Sequence, residues 1–324
     1  MIDRGKPALS NKTMRQEGER VSESSQQSSE MDNCKYQNDE ICVVCRFGGK
    51  PVLCDGCPSS FHLRCLGLTH VPNGDWFCRV CCCKICRRPR CSDDCARVNL
   101  CHQCEGKYHI ECLKKEDHVG NETLFCNRDC EKIFSSLHEL LRKTNVVVDN
   151  LTWTLLKAVK REDESKLSVA LDVLHESFNP IVDAFSGKDM IADVVFSRGS
   201  TLDRLNFRGF YTVVLERDKK VVSVATIRIF GKRVAEIPFV ATRMQYRRQG
   251  MGTILMNEIE KMLTYLGVER LVLPSSYSAI DTWTKSFDFV RMKPSDKSQL
   301  LDYVFLNFEG TIMCHKILLQ QNYV

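Results

Sequence analysis

The run Val234-Ala235-Glu236-Ile237-Pro238-Phe239-Val240-Ala241, with Tyr246-Arg247-Arg248-Gln249-Gly250-Met251-Gly252 close behind it, decides how the larger part of this chain folds. The first piece is apolar and β-branched and extends the reading of a strand over Val234 to Thr242. The second is a glycine-rich turn that opens a helix from about Gly250 to Leu266, with Leu255, Ile259, Met262 and Leu266 along one side. Glycines at a strand-to-helix turn let backbone come close to a ligand, and N–H groups at a helix N-terminus attract phosphate. Arg247 and Arg248 add positive charge at the same place. An ordinary helix start also looks like this, so the surroundings must carry the reading. Two residues are out of character for a plain central strand. Glu236 is a carboxylate among apolar neighbours, and Pro238 has no N–H to give to a ladder.

Working outward, Phe210 to Glu216 and Val221 to Ile229 are β-rich runs. Short turns at Arg217-Asp218-Lys219-Lys220 and around Gly231 make an antiparallel meander with Val234 to Thr242. Before them, Leu167, Ala170, Leu171, Leu174 and Phe178 form a helical stripe. After the long helix come a strand at Glu269 to Leu273, a short helix around Ala279 to Ser286, and strands near Tyr303 to Asn307 and Ile312 to Ile317. Helices and strands over 151–320 make one α/β body. Upstream, Glu131 to Lys143 is helical in pattern, with Ile133, Phe134, Leu137, Leu140 and Leu141 on one face, and 133–150 is assigned as a connecting helix.

The remainder is governed by cysteine. Of 19 cysteines, all but Cys34 and Cys314 fall between Cys42 and Cys130. The polar stretch from Met1 to Asn33 has no apolar core segment, so it does not read as a signal peptide, and no apolar run approaches the roughly 20 residues that span a bilayer. The expectation is a reducing compartment, where clustered thiols ligate metal instead of pairing as disulfides. Residues 1–37 carry the composition of a disordered tail. The net charge of +5 marks no nucleic-acid coat protein, and runs such as Arg87-Arg88-Pro89-Arg90 read as solvated surface, leaving direct DNA contact open.

Within 38–83 the ligand pairs are Cys42 with Cys45, Cys54 with Cys57, His62 with Cys65, and Cys78 with Cys81. Within 83–132 they are Cys83 with Cys86, Cys101 with Cys104, His109 with Cys112, and Cys126 with Cys130. A tetrahedral zinc takes four thiolate or imidazole donors, and two intervening residues let one knuckle supply two of them. Two sets of eight ligands therefore hold four zinc ions. Cys82, Cys91 and Cys95 are left over.

The order of four cysteines, one histidine and three cysteines, with Trp76 two residues before the seventh ligand, resembles the PHD finger. That resemblance implies cross-bracing, in which pairs one and three share one zinc and pairs two and four the other. The second set resembles a divergent PHD finger, with Leu124 and Phe125 where the tryptophan would stand. PHD fingers often read histone tails. Ser60 replaces the tryptophan of a trimethyl-lysine cage, and Asn38-Asp39-Glu40 resembles the acidic edge of fingers that take unmethylated lysine.

Arg247-x-x-Gly250-x-Gly252 is similar to the pyrophosphate motif of the GNAT superfamily of acetyl-CoA-dependent N-acetyltransferases. The implied cofactor contacts run over Phe239, Val240, Ala241, Arg247, Arg248, Gln249, Gly250, Met251 and Gly252. The same resemblance makes Glu236 the general base and has the strand splay at Pro238, so that the pantetheine arm of coenzyme A fills the gap. A lysine amine, with a pKa of about 10.4, must lose a proton before it attacks a thioester, so a base has a clear task. Together, the two fingers and the acyltransferase motifs resemble the plant "increased DNA methylation" histone acetyltransferase family. The fold expected is α+β: two cross-braced zinc fingers, then a mixed sheet flanked by helices. The resemblance implies a nuclear histone acetyltransferase whose fingers bind histone tails and chromatin-associated proteins, without a membrane partner. The alternative is an inactive chromatin-binding coregulator scaffold.

Overall fold

A computed structural model describes residues 38–89, 98–113, 124–158, 161–183, 187–200 and 205–318. The tail up to residue 37, together with Arg90, Cys91 and Cys95, lies outside the described residues. The chain from Gln37 onward forms one compact unit, zinc region and sheet included.

The sheet is built first from strands that the sequence makes apolar on both faces. Strand β7 (Phe210–Arg217) and β8 (Lys220–Ile229) are buried along nearly their whole length, because each face carries its own cover. Tyr211, Val213, Leu215, Val222, Ile227 and Ile229 meet α5 (Met251–Tyr265) through Leu255, Met256, Ile259 and Leu263. Phe210, Val214 and Val224 turn the other way, onto α3 (Arg161–His175) and α4 (Met190–Val195) through Leu167, Ala170, Leu174, Ile191 and Val194. Outside β7 lie β6 (Leu151–Leu156) and β5 (Thr144–Val148), all antiparallel. Beyond β8 come β9 (Ala235–Glu236), β11 (Arg270–Ser276), β13 (Thr311–Ile317) and β12 (Val290–Arg291), with α6 (Ile280–Ser286) and α7 (Pro294–Ser298) in the connections. The ninth strand, β10 (Val240–Thr242), pairs β8 alone.

That last fact positions the site. Strand β9 runs parallel to β11 with Ala235 opposite Leu271 and Glu236 opposite Val272. The Ile237 N–H still reaches the Val272 carbonyl at 2.9 Å, and then Pro238 has no N–H to continue. The chain therefore separates from β11 at Pro238 while β10 keeps its register with β8, Val240 opposite Ala225. The single strand expected over Val234 to Thr242 is split in two, and the expected splay lies at the break.

Two other expectations fail. The helix read over 133–150 is α2 (Arg128–Leu140), which stops at Leu141; Arg142 takes φ +62° and Thr144–Val148 becomes an edge strand. Its β-branched alternation and the Asp149-Asn150 turn are hairpin signals that outweigh the helical stripe before them. Tyr303 to Asn307 is no strand but an irregular segment across the sheet face. Its backbone polar groups bond side chains of the sheet instead of a neighbouring strand, as described below.

In the zinc region, β1 (Val52–Leu53) pairs β2 (Ser60–Phe61) and β3 (Val98–Leu100) pairs β4 (Lys107–His109), with α1 (Leu63–Leu66) after β2. Asn127 caps α2 by accepting from the Cys130 N–H, and Ile133 and Leu137 carry α2 into the sheet core beside Leu151, Trp153 and Leu155. Among the described residues no helix is long and apolar enough to cross a membrane.

Candidate functional site

All sixteen metal-ligand candidates gather in four groups: Cys42, Cys45, His62 and Cys65; Cys54, Cys57, Cys78 and Cys81; Cys83, Cys86, His109 and Cys112; Cys101, Cys104, Cys126 and Cys130. Within each group the donor atoms lie within 4.8 Å of one another, in the cross-braced order. The geometry can be tested against the ion. Zinc–sulfur bonds of about 2.3 Å at tetrahedral angles set sulfurs about 3.8 Å apart. Cys57 and Cys78 stand 3.6 Å apart, Cys126 and Cys130 3.7 Å, and Cys104 and Cys126 3.5 Å. His62 turns Nδ1 toward Cys45 at 3.2 Å, and His109 turns Nδ1 toward Cys86 at 3.4 Å.

Backbone N–H groups point at the first sulfur of each knuckle, as thiolates require: His62 at Cys42, Cys78 at Cys54, His109 at Cys83 and Cys126 at Cys101. Arg46, Arg87 and Glu105, each just after the second cysteine of a knuckle, take the left-handed conformation at φ +63°, +63° and +55°. These are four Cys/His clusters suited to zinc. Cys82 is buried between two of them, its sulfur 3.9 Å from the Phe77 carbonyl, and belongs to none.

The glycine-rich turn follows the splay directly. Gly250 takes φ +78° and Arg248 φ +60°, and the N-cap of α5 makes no side-chain cap hydrogen bond. A helix start leaves its first N–H groups without intrahelical partners. Of the two arginines, Arg247 is spent on structure. Its Nε donates to the Thr242 carbonyl at 3.1 Å, and its Nη2 to the Glu176 carbonyl and Ser177 Oγ. Arg248 is exposed and makes no ion pair or hydrogen bond among the described residues. Gln249 bonds the Gln245 carbonyl and accepts from Arg217, Met251 packs in the core, and an added Cβ at Gly252 would meet Thr242 Oγ1 at 3.4 Å. Phe239 and Ala241 bury their side chains under α3, leaving only backbone to face the gap, and Val240 is half-buried.

Glu236 is wholly buried. Its Oε1 accepts from Arg228 Nε at 2.6 Å and its Oε2 from the Leu306 N–H at 2.9 Å. Burial pushes its pKa up, while Arg228 and the Leu306 amide pull it down. Arg228 is itself enclosed, with its guanidinium 4.5 Å from the Phe210 ring centre and 4.7 Å from that of Phe230. Arg228, Glu105 and the strap at 303–308 escape a sequence reading because none carries a motif. The one available signal was a charged residue, Arg228, in an otherwise apolar strand directly opposite Glu236.

Residues 178–317 match the family model described as Increased DNA methylation 1, C-terminal domain. Residues 35–82 match the model described as Histone-lysine N-methyltransferase NSD-like, PHD zinc finger 1. Increased DNA methylation 1 of Arabidopsis thaliana is 42% identical over 300 residues, which is 87% of this chain and 25% of the relative. The chain is a relative of Increased DNA methylation 1. It spans about a quarter of the length of that Arabidopsis protein. Human Autoimmune regulator is 49% identical over 47 residues, 14% of this chain and 9% of that protein. Among solved structures, Tetrahymena GCN5 is 17% identical, covering 56% of this chain and 98% of its own, at a TM-score of 0.39. A GNAT family acetyltransferase from Elizabethkingia anophelis with acetyl-CoA bound is 13% identical, covering 52% and 99%, at 0.35. The stretch matching the C-terminal domain of Increased DNA methylation 1 thus follows Cys/His clusters, the first two of which lie within the PHD zinc finger match.

Proposed function

We propose that this chain is a nuclear, acetyl-CoA-dependent lysine N-acetyltransferase acting on histones, with its first zinc unit docking chromatin and with four zinc ions in the two units. The carrying observation is the placement of a buried carboxylate, Glu236, at the end of β9 where the chain leaves β11, with the uncapped start of α5 and Arg248 following after β10. Among the described residues the edge of β10 turned toward the gap has no strand across from it, which leaves backbone at Val240 for a thioester carbonyl. Arg248 and the N–H groups from Gln249 to Gly252 suit a pyrophosphate. When bound, acetyl-CoA supplies the acetyl group as a thioester. Glu236 takes the proton of the acceptor ammonium, which requires the Leu306 amide to release Oε2. Burial favours this role, because it raises the basicity of the carboxylate.

The first unit suits an unmodified tail better than a trimethylated one. Ser60 is buried and bonds the Ile41 carbonyl, Trp76 packs edge-on against Phe61 at 5.5 Å, and Phe47 is the exposed aromatic left. One aromatic wall does not make a cage. A second reading, an inactive scaffold, is favoured by one observation: both oxygens of Glu236 are already bonded.

The test is transfer from labelled acetyl-CoA to core histones by the zinc-loaded protein, beside Glu236→Gln, with cofactor affinity measured by calorimetry. The enzyme reading expects lysine labelling, and a fall in kcat of roughly 100- to 1000-fold in the variant with cofactor affinity kept. Equal rates in both proteins would remove Glu236 from the chemistry. Cofactor binding without transfer by the wild type would favour the scaffold.

A further inference from the structure

Arg228 joins two parts of the chain that the sequence keeps far apart. Its Nε donates to Glu236, its Nη1 donates to Glu105 Oε2 at 3.3 Å and to the Asn206 carbonyl at 3.4 Å, and its Nη2 donates to the Val304 carbonyl at 2.7 Å. Glu105 comes from the second zinc unit, between ligand Cys104 and Gly106, where the knuckle imposes the left-handed conformation that aims its side chain. The rest of that knuckle is fastened to the same hairpin. Gln103 Nε2 donates to the Ile229 carbonyl at 2.8 Å, and Asp129 pairs Lys232 at 2.7 Å. An added Cβ at Gly231 would come within 3.3 Å of Cys130 Sγ. At Gly209, where the strand enters, an added Cβ would come within 2.8 Å of Glu105 Oε1. The site is closed around this carboxylate.

A guanidinium needs a fixed set of acceptors to hold one plane, and a single carboxylate leaves it free to swing. Here the two anions lie on different edges of the fork, and Phe210 and Phe230 confine its faces. The arrangement sets two carboxyl groups around one guanidinium in a place where Arg228 is 6% exposed and Glu236 fully buried. The second anion shares the cation and leaves Glu236 with more of its proton affinity than a private pair would. The groups facing Glu236 are few. They are Arg228 on β8, Val272 on β11, the Leu306 amide on the strap and, through Arg228, Glu105. Lys157, 4.3 Å over the Tyr211 ring, stands behind Glu105, and His315 lies one strand farther, opposite Val272.

We propose that Glu105 is a positioning residue of the acyltransferase site, so that the second zinc unit is a working part of that site and not a separate reader. This rests on the acyltransferase reading for its kinetic readout and is independent of it for its spectroscopic one. In the zinc-loaded full chain, Glu105→Gln and Glu105→Asp are compared with wild type by the 15N resonance and solvent-exchange rate of the Arg228 Nε–H, and by the pH profile of kcat/KM. Zinc content verifies that each variant keeps its metal.

The expected result for Glu105→Gln is a displaced Arg228 resonance and at least tenfold faster exchange. It is accompanied by an acid limb of the profile moved to lower pH, a lowered kcat and an unchanged KM for acetyl-CoA. Glu105→Asp restores the limb in part. An unchanged resonance and an unchanged limb in Glu105→Gln, with zinc retained, overturn the proposal. If Glu105→Gln loses zinc, Glu105→Asp decides by the same two readouts. Failure of the acyltransferase reading is separable: Glu236→Gln then keeps full activity, or the wild type has none, while the Arg228 resonance still reports whether Glu105 holds it.

Discussion

The two zinc units share one ligand order and differ in almost everything placed between the ligands. The first has the most open apolar side chains, Phe47 at 73% and Val71 at 59%, although it buries Val44, Val52 and Phe61 and accepts from Lys297 at the Val44 carbonyl. Among the described residues strand β1 there pairs on one side only, as β3 does in the second unit. The second buries Tyr108 completely, bonds the sheet through Gln103 and Glu105, and runs on through α2 into the main core. Ligand spacing dictates that a zinc unit forms; the intervening residues decide whether it faces a partner or the protein itself. An exposed strand edge with apolar neighbours invites a peptide, whereas a knuckle whose polar side chains are consumed within the chain has nothing left to offer one.

Removing metal ligands should separate the units most sharply. Cys104→Ser in the second unit is expected to abolish the cooperative thermal transition of the sheet. Cys57→Ser in the first should lose its own zinc and leave that transition in place, because structural zinc supplies the folding free energy of what it holds. Thermal melts with zinc counted by mass spectrometry would check this, and two similar melts would break the contrast.

A smaller effect is expected from packing alone. Tyr108→Ala should cost about 3–5 kcal/mol in urea unfolding, as large-to-small changes at fully buried aromatics do. A loss near zero would mean that the second unit is docked more loosely than its burial indicates.

The smallest stability effect should come from Phe47→Ala, within about 0.5 kcal/mol, since the ring contacts mostly solvent. If the exposed face reads a histone tail, the same change should weaken peptide binding about tenfold in a fluorescence titration. Unaltered binding would place the contact elsewhere.

The sequence announced the ligand set well, because tetrahedral coordination imposes spacing that survives in one dimension, and all sixteen donors converge as their pairs implied. It announced the splay through Pro238, a residue whose missing N–H is a local property. The hairpin at Thr144–Leu156 has its own signals in Val146 to Asn150, which the helical stripe ending near Lys143 adjoins without a break. The environment of Glu236 was not legible. Arg228 lies eight positions away on the partner strand, but Glu105 is 123 positions from Arg228 and Leu306 is 70 from Glu236, and nothing local links them. The segment read as a strand at Tyr303 to Asn307 shows the cause. Its polar backbone is satisfied by side chains folded against it from elsewhere, and no periodicity records that.

Lys84 gives the contrast between the units a chemical side. Its ammonium donates to Cys104 Sγ at 3.0 Å, in a cluster whose four sulfurs are all buried. The corresponding four-cysteine cluster of the first unit leaves Cys57 partly open to solvent. A thiolate that shares its charge with an ammonium is a poorer nucleophile, and a shielded one is harder to reach. Of the two four-cysteine clusters, that of the first unit is therefore the softer target for an oxidant or an alkylating electrophile. Chemical stress would open the second unit from its other end, at the exposed Cys86 of its histidine-bearing cluster, and leave the shielded sulfurs against the sheet until last.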